Sequence, residues 1–197
     1  MQGMSQTHPT LLSAAWPAAA DSRLRKVVLA LAGTGLLTLS AKVQVPFYPV
    51  PMTMQTFAVL VIGMAFGWRL GAATVLLYLA EGALGLPVFA GTPAKGIGLA
   101  YMAGPTGGYL VGFLVAAAAV GFLGERGWDR SPLPTLAAMF AGTALIFAFG
   151  YAWLAYLIGP DKAFEFGVVP FVWAAAFKIA LAAAVLPLCW RILARKH

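Results

Sequence analysis

The sequence predicts an all-α polytopic membrane protein, a compact bundle of six transmembrane helices with N- and C-termini in the cytoplasm. Three observations carry that expectation. Of the 197 residues, 61% are hydrophobic and only 10% charged, with a mean hydropathy of +0.86. A soluble domain keeps about 25% of its residues charged so that its surface can face water, and this chain falls far short of that. Its apolar residues are gathered into six long runs, and most of its lysines and arginines flank those runs on one side.

A hydrocarbon core about 30 Å thick takes about 20 helical residues, fewer where the flanks or the bilayer adjust. The runs at about 27–42, 50–67, 70–86, 106–124, 135–158 and 168–190 are read as the spans. They are too long and continuous for barrel strands, and lipid requires backbone groups to be satisfied internally, so they are helices. Only Gly67-Trp68-Arg69 separates the second run from the third. The first run, with Arg23-Leu24-Arg25-Lys26 before it and Leu39-Ser40-Ala41 at its end, also resembles a signal peptide. Its polar leader is long for one, so the run is kept as a span. Residues 1–22 are read as a mobile cytoplasmic tail, and 23–197 as a single six-helix membrane domain.

Orientation follows from the loops. One side carries Arg23, Arg25, Lys26, Arg69, Arg126, Arg130, Arg191, Arg195 and Lys196; the other carries Lys42, Lys95 and Lys162. Nine against three puts both termini inside. The net charge of +7 and pI near 9.9 are accounted for by this topology, and no nucleic-acid partner is expected, because no basic patch or stripe forms.

Enzyme chemistry is hard to find. The chain lacks a G-x-x-x-x-G-K-[ST] loop, an H-E-x-x-H pair and a G-x-S-x-G elbow, and no aspartate lies inside a span. His8 and His197 sit in polar tails, and the single cysteine, Cys189, excludes an intramolecular disulfide. No catalytic residue, metal site or cofactor is expected.

Two ionisable residues stand inside apolar runs: Glu81 in the third and Lys178 in the sixth. Each lies roughly 15 Å along its helix, near the midplane, where a charge costs about 2.5–3.5 kcal/mol on insertion scales. Such groups face a partner or a cavity. They can neutralise each other inside the bundle, or line a polar pocket open to the outside. Lys178 suits a carbonyl or a carboxylate, and an ionised Glu81 can accept from ring N–H groups.

Thr53 and Gln55 open the second run, Thr106 and Tyr109 open the fourth, and Phe171 and Trp173 precede Lys178 on the sixth. All are placed to line an outward cavity. Tyr151, Trp153 and Tyr156 read as an interfacial belt. The outer stretch 87–105, rich in glycine and proline, cannot be a regular helix but permits tight turns and close approach to a ligand. Its Phe89, Ile97, Leu99, Tyr101 and Met102 favour a lid over a plain connecting loop. Ala30, Thr34 and Thr38 form a small-residue row for helix packing, either internal or towards another subunit.

Three segments carry a family resemblance: Pro51-Met52-Thr53-Met54-Gln55-Thr56-Phe57, the run Leu76 to Gly91 containing Tyr78-Leu79-Ala80-Glu81-Gly82, and Gly104-Pro105-Thr106-Gly107-Gly108-Tyr109. In this order they resemble the biotin-specific subunits of energy-coupling-factor transporters, from about residue 27 to the C-terminus. The resemblance implies a six-helix protein of the bacterial cytoplasmic (inner) membrane that binds biotin from outside. It also implies a transmembrane coupling subunit and two ATPases as partners, the Ala30, Thr34 and Thr38 row being the docking face. The implied biotin ligands are Lys178, Glu81, Tyr109, Gln55, Phe89, Gly91, Trp173, Phe171 and Thr106. One departure stands out: the family's P-G-D-x-x-K reads Trp173-Ala174-Ala175-Ala176-Phe177-Lys178 here, so the aspartate position is Ala175. Glu81 can stand in for it only from the same cavity. A carrier for another vitamin, or a membrane enzyme or sensor on the same bundle, is the alternative.

Overall fold

Lipid offers the backbone no hydrogen-bonding partner, and the chain responds with helix along most of its length. The computed structural model describes residues 8–17 and 22–195. A short helix α1 (Leu11–Ala15) precedes α2 (Arg23–Lys42). Two short antiparallel strands follow, β1 (Gln44–Val45) and β2 (Met52–Thr53), with Gln44 opposite Thr53. Then come α3 (Gln55–Ala83), α4 (Gly98–Met102), α5 (Gly107–Gly124), α6 (Pro132–Ile158) and α7 (Pro160–Gly167). A 3-10 turn (Val169–Phe171) leads into α8 (Val172–Ala194).

Among the described residues five helical stretches are long and apolar enough to cross a membrane, where the sequence has six runs. The difference lies in α3, which joins the second and third runs. Its backbone leaves the helical region at Gly67 (φ 80°, ψ 170°), a conformation that suits glycine. There the chain doubles back: a Cβ on Gly71 would lie 2.9 Å from the Gly63 Cα. Eight residues along a straight helix cover about 12 Å. So α3 is a helical hairpin of two apolar arms, with its turn at the three residues that separate the runs.

Small residues set how closely the helices approach. A Cβ on Gly63 would sit 2.6 Å from the Ala117 carbonyl, and one on Gly124 would sit 2.6 Å from that of Met64. Helix α5 therefore lies directly on the hairpin, with Ala116, Ala117 and Val120 fully buried between the hairpin and α6. Without water to expel between helices, such close backbone contact is the main source of association in lipid.

Within the stretch read as a cytoplasmic tail, residues 8–17 lie on the bundle. The His8 amide donates to the Glu125 carbonyl (2.7 Å), Thr10 caps α1, and Leu11 is buried. Glu125 Oε1 in turn accepts from the Trp68 amide at the hairpin turn (3.2 Å). Residues 1–7 and 18–21 of the tail lie outside the described residues.

At this same basic end Asp129, in the loop between α5 and α6, is completely buried. Its Oδ2 accepts from Trp190 Nε1 (2.6 Å), tying the loop to the last turns of α8, while Oδ1 has no partner among the described residues. The Arg130 guanidinium lies 4.6 Å over the Trp190 ring. Burial pushes the Asp129 carboxyl above its usual range, opposed by the Trp190 hydrogen bond and the Arg130 and His8 charges. A carboxyl raised in this way favours folding fully below its ordinary pKa, and that contribution is lost as pH rises through the raised value. Asp129→Asn keeps an acceptor for Trp190 and cannot ionise. The thermal midpoint of the variant in detergent, relative to wild type, should therefore climb as pH rises through the acid range above pH 4. A difference that shrinks over that range contradicts the assignment.

Candidate ligand-binding site

At the end opposite Asp129, the start of α3 meets α4, α5, α6 and α8 around a cavity of about 60 Å³. With about 30 Å³ as a water's share of liquid volume, that is room for roughly two water molecules. Most of the wall is apolar, from Leu60, Phe113, Met139, Ile146 and Phe147. Polar groups are few: Thr53, Gln55 and Thr56 from the β2–α3 junction, Tyr101 from α4, Thr106 just before α5 and Tyr109 within it, Thr143 from α6, and Lys178 from α8.

Lys178 is half-buried and supplies the cavity's charge. Its ammonium donates to the Thr53 carbonyl and to Thr56 Oγ1 (3.0 Å). Thr53 ends β2 two residues before α3 begins, so its carbonyl sits at a chain bend beside the helix start. An ammonium has three donors, and two are engaged here.

Glu81 lies elsewhere. Its Oε1 accepts from Thr34 Oγ1 (3.0 Å), which joins α2 to the second arm of α3, and Glu81 does not line the cavity. The two charges of the apolar runs do not neutralise each other. The cavity lining also contains no aspartate or glutamate. Ala175, one turn from Lys178, presents a methyl group to it where the family pattern has a carboxylate. Thr143 Oγ1 has no hydrogen-bond partner among the described residues, which leaves its hydroxyl to the cavity.

The roof is the segment 87–92, and side chains hold it in place of regular structure. Lys42 Nζ reaches the carbonyls of Pro87 (2.8 Å), Phe89 (2.9 Å) and Thr92 (3.2 Å), and Thr92 Oγ1 (3.1 Å). Tyr78 donates to the Val88 carbonyl (3.0 Å) and Tyr101 to that of Ala90 (2.8 Å). Gln55 Nε2 donates to the Tyr78 hydroxyl, linking the cavity wall to the roof. The Phe89 ring is buried, stacked on Tyr101 at 4.9 Å and edge-on to Tyr78 at 5.4 Å. It fits because residue 82 is glycine, since a Cβ there would overlap the ring.

Of the expected ligand residues, Lys178, Gln55, Tyr109, Phe89, Phe171 and Thr106 line the cavity. Tyr109 contributes its ring, and its hydroxyl donates to the Gly167 carbonyl (2.7 Å). Gly91 does not line the cavity; it turns the roof segment at φ 73°. Trp173 is 84% exposed and faces away. It lies two residues beyond the buried Phe171, and about 200° of helical rotation takes it to the other side. The expected partner-docking row also faces inward. Ala30 and Thr34 are buried against the rest of the bundle and Thr38 is half-buried, while the exposed face of α2 carries Val28, Leu31, Leu36 and Leu39. Trp153, read as interfacial belt, donates to the Gly104 carbonyl (2.9 Å) and braces the entry to α5.

Lys42, Tyr78, Thr56 and Thr143 escape the sequence reading as site residues. Lys42 counts there only as a loop charge, and Tyr78 and Thr56 lie within quoted motifs without being singled out. Thr143 has a visible signal, a hydroxyl in the middle of an otherwise apolar run.

The family model described as the BioY family matches residues 10–195. A biotin transporter BioY of Thermotoga maritima is 37% identical over 163 residues, 82% of this chain and 94% of that protein. A probable biotin transporter BioY of Pyrococcus horikoshii is 36% identical over 150 residues, 76% of this chain and 86% of that one. Among solved structures, the S-component for biotin from an ECF-type ABC transporter superposes with a TM-score of 0.73 at 21% identity. It covers 86% of this chain and 92% of its own, and shares the fold.

If side-chain donors hold the roof, removing the Lys42 ammonium frees its backbone first. In Lys42→Met, amide hydrogen exchange across 87–96 should rise about tenfold or more, the value of one charged hydrogen bond or better, while α5 and α6 keep their protection. Unchanged exchange in 87–96 shows that the roof is held by packing alone.

Proposed function

The chain belongs to the BioY family, and on that premise we propose that it captures biotin for uptake as the substrate-binding subunit of an ECF-type transporter. It is a multi-pass membrane protein and a transporter component, not an enzyme. The observation that carries the reading is a single ammonium, Lys178, in a mostly apolar cavity under a side-chain-tethered roof.

In this reading the ureido ring of biotin sits deep, its carbonyl accepting from Lys178. Binding transfers donors now given to Thr53 and Thr56 onto the ligand. The ureido N–H groups need acceptors, and with alanine at position 175 the cavity offers no carboxylate. The Thr143 hydroxyl takes that role, supported by its lack of a protein partner. The hydrocarbon chain lies against Leu60, Phe113 and Ile146, and entry requires the 87–92 roof to lift.

The hairpin turn at Gly67 and the nine-against-three distribution of basic residues support six spans with both termini cytoplasmic. The membrane is then the bacterial cytoplasmic one, with the basic end inside. The chain carries no nucleotide-binding loop, so energy comes from partners: a transmembrane coupling subunit and two ATPases. A ligand with equal affinity for two states shifts neither, so those partners supply the bias that opens the site inward.

Isothermal titration of the purified protein with biotin and with other vitamins tests the reading. Biotin should bind, and Lys178→Ala should weaken it more than about tenfold, as loss of a charged hydrogen bond requires. Thr143→Val should cost about fivefold, one neutral hydrogen bond. Glu81→Gln, outside the cavity, should stay within about twofold of wild type, an energy below about 0.5 kcal/mol. No heat with biotin beside clear binding of another vitamin moves the chain to a sister specificity.

A further inference from the structure

At the basic end, α1 does not lie flush on the bundle. Between it, the start of α2 and the hairpin turn of α3 runs an open groove of about 390 Å³. Its two sides differ in chemistry. Lys26 and Arg69, both exposed, supply two positive charges, and the groove lining contains no acidic residue. Phe66 at the end of the first arm of α3, with Leu70 and Ala73 at the start of the second, supplies an apolar wall.

The hydroxyls of Thr10 and Ser13 also border the groove, but they are occupied with each other. Thr10 Oγ1 donates to Ser13 Oγ (3.2 Å), and Ser13 Oγ donates to the Thr10 carbonyl (3.0 Å). Recognition of a ligand therefore falls to the cations. The Lys26 ammonium has no hydrogen-bond or ion-pair partner among the described residues, and the Arg69 guanidinium rests 5.1 Å over the Trp68 ring. Two exposed charges beside an apolar wall on a membrane protein fit a molecule with an anionic head and an apolar tail.

A separate feature sets the depth. Trp16 and Trp68 flank this end, 46% and 40% exposed, each with an arginine at its ring: Arg25 at 5.7 Å and Arg69 at 5.1 Å. Half-exposed tryptophans beside basic residues mark the headgroup layer of a bilayer, where basic pockets between helices hold anionic lipid headgroups.

We propose that this groove binds one anionic phospholipid, its phosphodiester between Lys26 and Arg69 and an acyl chain along Phe66, Leu70 and Ala73. The bound lipid would bridge α2 and the hairpin turn beneath α1, fixing the tail against the membrane surface.

Native mass spectrometry of the full chain, released from detergent after titration with phosphatidylglycerol or phosphatidylcholine, tests the site. Wild type should retain one phosphatidylglycerol, and Lys26→Gln/Arg69→Gln should lose about tenfold or more of that occupancy, while Lys26→Arg/Arg69→Lys keeps it. Phosphatidylcholine should remain scarce on all three, and inorganic phosphate should not raise the thermal midpoint as phosphatidylglycerol does. Unaltered biotin affinity in the glutamine variant shows that its fold is intact. Equal phosphatidylglycerol retention by wild type and the glutamine variant overturns the site. Equal retention of phosphatidylcholine, or an equal rise with inorganic phosphate, overturns its assignment to an anionic lipid.

Discussion

The candidate cavity depends on one arrangement: an ammonium held by a carbonyl and a hydroxyl, with no carboxylate in the lining beside it. A paired carboxylate would satisfy the lysine completely and would have to be displaced or shared on binding. Thr53 and Thr56 hold Lys178 more lightly, as neutral acceptors that a ligand carbonyl can replace. That is why the β2–α3 junction matters. Because α3 begins only at Gln55, after β2, the Thr53 carbonyl stays outside the helical ladder and is left for Lys178.

The roof follows a related logic. A glycine- and proline-rich segment cannot satisfy its own backbone through regular structure, so donors come from three other elements: Lys42 from α2, Tyr78 from α3 and Tyr101 from α4. These are separate side-chain bonds that can break without unfolding a helix. Gln55 belongs to both systems, lining the cavity and bonding Tyr78. Occupancy and roof position are therefore mechanically adjacent, separated by one tyrosine.

Much of the bundle was legible in the sequence because hydropathy and charge act at the scale of whole runs. The runs became helices, and Gly67-Trp68-Arg69 became a turn, since a glycine beside a charged residue between apolar arms has few other uses. Lys178 was legible because a charge in lipid has to face something. Directions around a helix were not. In a soluble helix an apolar stripe marks the buried face; here lipid and core are equally apolar, so Trp173 gives no sign that it turns outward or Glu81 that it meets Thr34. The buried row Ala30, Thr34 and Thr38 is ambiguous for the same reason, because small residues serve internal and intersubunit packing alike. Lys42 was missed because a loop lysine looks the same whether it meets water or three carbonyls.

The most direct test observes the bond itself. Biotin labelled with carbon-13 at the ureido carbonyl, followed by isotope-edited infrared spectroscopy, reports whether that oxygen accepts from an ammonium. On binding to wild type the labelled stretch should move to lower frequency, and with Lys178→Met much of that displacement should vanish. The same stretch in both proteins would mean that Lys178 never leaves Thr53 and Thr56, and that biotin is held by other groups.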